Sequence, residues 1–334
     1  MKTILFNNGP NRKNSPFDPN IRDGLNLPYI ALKDYFNSKD IKLIYTDEIK
    51  SITPDFELHQ NIQKSIFNCP AFVLLWETKF IYPKNYDYKI LDKYLKIFSW
   101  DEDIVKEKNA IKFRFPHFLN KNINIDGYKN RSRLINTISG NKCLTKFKSE
   151  FDLYSERVKT IRWFEDNFPN DFDLYGSGWN KSARSPKFFG SLINKFQDCL
   201  WWEPFKFKSW KGIIDSKHNI LSTSRFSIVY ENVKGLDDYI TEKIFDCFNA
   251  GNIPVYWGAP NISEYIPEKC FIDRRNFRSH LDLYKYIKTM QEDEYIEYQI
   301  NIKNFLNSEL SQIFSLDKFA KNVTSQIVAK INKL

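Results

Sequence analysis

The sequence predicts an α/β protein of two domains, each built on a parallel sheet, and three observations predict it. Short apolar runs with the composition of buried strands recur along the chain. Amphipathic stretches with helical spacing separate many of these runs, which is the order of a parallel sheet with crossover helices. At 334 residues the chain can also bury one or two large cores.

In the first domain, residues 2–6, 41–45, 71–76 and 97–100 read as strands. Residues 27–36 read as a helix and 58–67 as a second one. Residues 112–131 are polar, with many Asn and Lys, so a boundary is expected near residue 130. Beyond it, residues 133–139 and 172–176 read as strands, around a helix at 150–168. That helix carries Phe151, Tyr154, Val158, Ile161, Phe164 and Phe168 at steps of three and four. Residues 177–210 look irregular. Residues 226–230 and 253–257 are strands around a helix that Thr241 can cap and Gly251 can end. Helices follow at 281–290, 295–306 and 315–334. The expected division is 1–130, 131–300 and a C-terminal helical segment 301–334, with the ligand in the cleft between the two α/β domains.

Composition narrows the function. Hydrophobic residues at 42% and aromatics at 16% exclude general disorder. The net charge of +9 suits nucleic acid, an anionic membrane face or a phosphorylated small molecule. The basic residues never run five together, which disfavours nucleic acid. The five Cys and four His show no metal-binding spacing, so neither a metal site nor a disulfide framework is expected. The apolar runs are too short to span a bilayer, and no signal peptide is visible. A cytoplasmic protein is expected, touching the inner membrane surface at most peripherally.

The stretch 226–277 carries the chemistry. A helix start has free N–H groups and a partial positive charge, and Lys243 adds a full one, which suits an anion. Glu242 would repel a close phosphate but suits ribose or sugar hydroxyls. The same residues also suit a capped surface helix with an incidental Lys. Asn232 and Tyr239 can bond or stack on a base, or simply make the turn. Arg157 fits either an anion contact or a solvent-facing pair with Glu156 or Glu150. Glu77 follows an apolar strand and Trp76, a setting that suits a general base and equally an ordinary strand end. Asp101 has the same ambiguity. Trp201, Trp202 and Trp210 read as a sugar platform or as packing. Dinucleotide, P-loop and serine-hydrolase fingerprints are missing.

The ordered set Phe226…Tyr230-Glu231-Asn232, Asp238-Tyr239-Ile240-Thr241-Glu242-Lys243, Ile253-Pro254-Val255, Gly258-Ala259-Pro260 and Ile272-Asp273…Asn276-Phe277 resembles the α1,3-fucosyltransferases of glycosyltransferase family 10. Ile138-Ser139-Gly140-Asn141 and Glu156-Arg157 extend the likeness upstream, and Trp76-Glu77-Thr78 and Trp100-Asp101-Glu102 match loosely. The sequence departs from the family at Thr78, where Ser or Asn is usual, and at Val233, where Ser is common. The resemblance implies two Rossmann-like domains facing across a cleft (GT-B), with the donor on the C-terminal domain and the acceptor on the N-terminal one. It implies GDP-fucose as donor and a GlcNAc-containing glycan as acceptor, joined α1,3 with inversion. Arg157 and Lys243 would hold the diphosphate, Glu242 the ribose, and Asn232 and Tyr239 the nucleotide. Glu77 would be the base, with Asp101 and Glu231 as acceptor or pocket residues. No tightly bound cofactor is implied, and a divalent cation would stimulate rather than be required. Animal members carry a membrane anchor and stem, so the likeness here is to a soluble bacterial or viral form. Two other readings stay open: the same fold with another nucleotide sugar, and a non-catalytic basic RNA-binding protein.

Overall fold

The structure is a computed structural model and describes residues 2–9, 15–46, 52–144, 150–184 and 206–334. The chain divides into two compact units, Met1–Phe118 with Gln312–Leu334, and Leu119–Ser311.

The first unit opens with β1 (Lys2–Asn7), α1 (Leu27–Asn37), β2 (Ile41–Ile44), β3 (Phe56–Gln60) and β4 (Ala71–Leu75). It continues through α2 (Tyr88–Leu91), β5 (Lys96–Ser99), α3 (Glu102–Lys108) and β6 (Ile111–Lys112). The strands form one sheet in the order β2-β1-β3-β4-β5-β6, and each pairing is parallel. β1 and β4 are buried on both faces, which is why Ile4-Leu5-Phe6 and Ala71–Leu75 read as apolar runs and not as alternations.

Residues 58–67, expected as a helix, instead include most of β3. The signal was hidden because Glu57 and His59 look like solvent positions but are buried and paired with each other, His59 Nε2 lying 2.6 Å from Glu57 Oε2. The short α3 also went unforeseen; Asp101 starts it by accepting from the N–H groups of Asp103 (2.9 Å) and Ile104 (3.5 Å).

The second unit holds β7 (Arg133–Ile138), α4 (Leu153–Asn167), β8 (Phe172–Tyr175), α5 (Lys217–Leu221) and β9 (Ser224–Tyr230). Then come α6 (Glu242–Asn249), β10 (Ile253–Trp257), β11 (Ile272–Asp273), α7 (His280–Thr289) and α8 (Glu292–Asn307). The sheet order is β11-β10-β9-β7-β8, again all parallel. The strand order reverses between β7 and β9, and ligands of such sheets bind at the carboxyl ends beside that point.

Helix α6 buries Ile244, Phe245, Cys247 and Phe248. Each large apolar side chain so buried contributes about 1.5–3 kcal/mol. Gly251, at φ +63°, ends the helix as its sequence position suggested. Arg131 ties this layer together from within: its guanidinium donates to the carbonyls of Leu221, Ser224 and Ala250 and pairs with Asp126.

The last helix, α9 (Leu316–Ile331), belongs to the first unit and not to a separate 301–334 segment. Its Phe319 packs 5.7 Å from Trp76 and 5.5 Å from Phe113, and Tyr35 of α1 donates to Asp317. The apolar stripe of α9 could be read from sequence, but its destination could not. Among the described residues, no helix is long and apolar enough to cross a membrane.

Candidate functional site

Past the carboxyl end of β9, the loop 231–241 is gathered around one carboxylate. Glu231 is wholly buried, and its N–H still bonds Trp257 of β10 (2.9 Å), so its backbone is an extension of the sheet. Oε1 accepts the Thr241 N–H at 2.9 Å, and Oε2 accepts the Thr241 hydroxyl at 2.7 Å and Lys243 Nζ at 2.9 Å. Lys243 also donates to Thr241 Oγ1 at 2.8 Å. One side chain thus closes the loop and fixes the first turn of α6.

Two more bonds shape the same loop. Asp238 takes a left-handed conformation (φ +64°), and its N–H donates to Asn261 Oδ1 at 2.9 Å. Asn232 Nδ2 donates to the Tyr239 hydroxyl at 3.2 Å. Gly258 is required beside them, because a Cβ there would lie 2.5 Å from Glu231 Cγ.

The loop then runs antiparallel to the entry of α4. Asp152 pairs with Val233, and the Lys234 N–H donates to the Phe151 carbonyl at 2.9 Å. That contact brings Arg157, one turn into α4, over the end of β9. Its Nη2 donates to the carbonyls of Tyr230 (2.6 Å) and Glu231 (3.2 Å). Arg157 is therefore buried, not a solvent-facing partner of Glu156, and Glu156 pairs with Lys159 instead.

Electrostatics follow from this packing. Burial opposes the charge on Lys243, and Glu231 and Glu242 more than offset it, so its pKa lies above the ordinary lysine value. Burial pushes the pKa of Arg157 down from the usual arginine value. The two cations share one neighbourhood, since each feels Glu231. Glu242 stays partly open to solvent, 3.6 Å from Lys243 Nζ.

The structure thus gathers Arg157, Asn232, Tyr239, Glu242 and Lys243 at one end of one sheet. Three expectations are modified. Thr241 stands at the N-cap of α6 but gives its hydroxyl to Glu231, leaving the first-turn N–H groups without a side-chain cap. Glu231 is too buried to touch an acceptor and acts as the strut of the loop. Asp101 is taken up as the cap of α3 and as acceptor from Tyr86, whose pKa is raised by burial and by that carboxylate.

Glu77 lies in the first unit, half-buried, two residues past β4. Trp201 and Trp202 fall outside the described residues. Trp210 is a packing residue whose Nε1 donates to the Gly176 carbonyl at 2.9 Å. Sequence reasoning missed Arg274, which is nine-tenths buried, lies 5.9 Å over the Trp257 ring and donates to the Phe277 carbonyl at 2.7 Å. Its only signal was its position inside Ile272-Asp273…Asn276-Phe277. Among the described residues, no group of three or more His, Cys, Asp or Glu is arranged to hold a metal ion.

Residues 137–311, just over half of the chain, match the model of the glycosyltransferase family 10 (fucosyltransferase) C-terminal region. The chain belongs to glycosyltransferase family 10. The matched span runs from β7 past α8 and contains the whole charged loop. Among curated relatives, the α-(1,3)-fucosyltransferase FucT of Helicobacter pylori is 35% identical over 79 residues, 23% of this chain and 16% of that protein. The 4-galactosyl-N-acetylglucosaminide 3-α-L-fucosyltransferase 9 of Mus musculus is 31% identical over 127 residues, 36% of this chain and 34% of that one. The match thus spans about a third or less of these relatives' lengths.

Family membership agrees with the folds of solved structures. An α1,3-fucosyltransferase with GDP aligns at TM-score 0.54 and 14% identity, over 97% of this chain and 90% of that one. Anabaena HepE, in complex with UDP and glucose, aligns at TM-score 0.58 and 10% identity, over 98% and 100%. At such identities the likeness concerns the fold, two Rossmann-like α/β units of the GT-B class.

Proposed function

We propose that this family 10 protein is an inverting fucosyltransferase. It moves L-fucose from GDP-fucose to a hydroxyl of a GlcNAc-containing glycan, forming an α1,3 linkage. The observation that carries the proposal is the pairing of two cations, Arg157 and Lys243, at the carboxyl end of β9, with Lys243 aimed by a buried carboxylate. The relatives named above supply the sugar, the nucleotide and the linkage.

In this reading the acceptor oxygen attacks the anomeric carbon as the bond to the diphosphate breaks. Glu77 takes the acceptor's proton. Arg157, Lys243 and the uncapped start of α6 stabilise the charge that develops on the departing GDP. Glu242 bonds the ribose, and Asn232 and Tyr239 line the nucleotide pocket. No tightly bound cofactor takes part, and a divalent cation stimulates without being required. The reading includes a cytoplasmic enzyme that touches the inner membrane surface at most peripherally, a contact that a net charge of +9 would suit.

A second reading, another nucleotide-sugar donor on the same fold, draws on the likeness to the UDP-bound HepE. Thermal unfolding with GDP and with UDP, followed by transfer assays on a panel of nucleotide sugars and glycans read by mass spectrometry, separates the two. GDP is expected to raise Tm more, and fucose to transfer from GDP-fucose. Equal shifts, or transfer only from a uridine donor, would overturn the first reading.

A further inference from the structure

Glu77 belongs to a dipeptide whose backbone is held by side chains and not by secondary structure. The pairing of β4 with β5 ends at Leu75 and Ser99, so Trp76 and Glu77 have left the ladder. Backbone groups that leave a sheet without reaching water need other partners. Asn61 Oδ1 accepts the N–H of Trp76 at 2.9 Å and that of Glu77 at 3.1 Å. Trp100 Nε1 donates to the Trp76 carbonyl at 3.0 Å, and Asn85 Nδ2 donates to the Glu77 carbonyl at 3.0 Å. All four main-chain polar groups of the two residues are therefore engaged.

The two asparagines are also joined to each other. Asn85 Nδ2 donates to Asn61 Oδ1 at 2.8 Å, and Asn85 Oδ1 accepts the Ile62 N–H at 3.0 Å. Asn85 is wholly buried and Asn61 nearly so. Asn61 adopts φ +59°, a left-handed conformation that Asn tolerates better than most residues, and this is the conformation from which its amide serves both N–H groups. On the other flank the Trp76 ring is wedged among Tyr29, Phe113, Phe115 and Phe319, at 5.3–5.9 Å. A strand end can be satisfied by water far more simply than by two buried amides. A general base, however, must hold its place closely, because a displacement of about 1 Å can cost on the order of 10² in rate.

We propose that Asn61 and Asn85 are positioning residues that hold Glu77 for proton transfer. This rests on the reading of Glu77 as the base. Asn61→Gly keeps the left-handed backbone and removes the shared acceptor, whereas Asn61→Asp keeps that acceptor. Asn61→Gly is expected to lower kcat by about 10², with the donor KM and the GDP-induced rise in Tm unchanged. Asn61→Asp is expected to restore most of kcat. Asn85→Ser, which shortens the second arm, should lower kcat in the same selective way if Asn61→Gly proves too unstable to assay.

Glu77→Gln separates the two ideas. Retained turnover in Glu77→Gln would remove the base itself and the inference with it. Loss of turnover in Glu77→Gln, with wild-type kcat in folded Asn61→Gly and Asn85→Ser, would overturn the positioning role alone. So would variants whose donor KM rises in step with the fall in kcat, or an Asn61→Asp no better than Asn61→Gly.

Discussion

Replacing Lys243 by Met removes an ammonium group and keeps most of the stem. Its first consequence is for stability. Glu231 has no exposed surface and is deprived of the ammonium at 2.9 Å, while the Thr241 N–H and hydroxyl remain on it. Breaking a buried pair from one side costs about 3–5 kcal/mol. With two donors left and Lys243 itself 23% exposed, the low end applies. For a unit of this size about 3 kcal/mol lowers Tm by roughly 6–12 °C. The second consequence is for rate: taking one cation away from the leaving diphosphate lowers kcat by about 10² to 10³.

The double variant Lys243→Met, Glu231→Gln tells the two consequences apart. It removes the carboxylate that Lys243→Met alone leaves buried without its ammonium, and the Gln oxygen still accepts from Thr241, so part of the fall in Tm is expected to be reversed. Turnover and the GDP-induced shift are expected to stay low, because the cation is still missing. Thermal unfolding with and without GDP, together with kcat on GDP-fucose and a glycan acceptor, reads both. If turnover returns along with Tm, Lys243 is a structural residue and the phosphate role is wrong.

Two more predictions use other parts of the molecule. Burial alone would raise the pKa of Glu57, but hydrogen bonds from His59, the Phe67 N–H, Asn7 and Ser65 outweigh it and hold the carboxyl at about 2, against 4.5 when free. Its folded pKa is depressed, so its stabilisation, about 3 kcal/mol, is present above pH 4.5 and lost as pH falls towards 2. Glu57→Gln should flatten that part of the acid-unfolding curve of the first unit, and an unchanged curve would show that the network carries no such linkage. Gly258→Ala places a methyl group against Glu231 and Tyr256. It should cost about 1–3 kcal/mol and weaken GDP binding by displacing the strut, which GDP titration of the folded variant would show.

Most strands and long helices were legible because their burial is simple. β4 and β10 are apolar along their length, β1 carries Ile4-Leu5-Phe6, and α4 and α9 carry apolar residues at helical spacing. β3 was not legible, because two of its five residues are Glu57 and His59, buried polar groups that only a tertiary network makes acceptable. The residues proposed for the donor site were legible as a set because Glu231 through Lys243 lie within one loop and one helix start. Arg157 was ambiguous in the sequence, since a helical arginine between two faces can point either way. The pairing of the 231–235 loop with the entry of α4 decides it.

The sequence by itself determined the α/β class, the 226–277 unit and the family, because local pattern and residue order carry them. It also placed the start of α6, at Thr241, Glu242 and Lys243. Tertiary structure decided what those residues do for one another. Glu231 became a buried strut only when the β9–β10 pairing brought Trp257 and Gly258 beneath it. The last helix joined the first unit only through Phe319 and Asp317. The Asn61–Asn85 clamp on Glu77 spans 24 residues. Such contacts depend on which surfaces meet in space, and hydrophobic periodicity along the chain does not encode that.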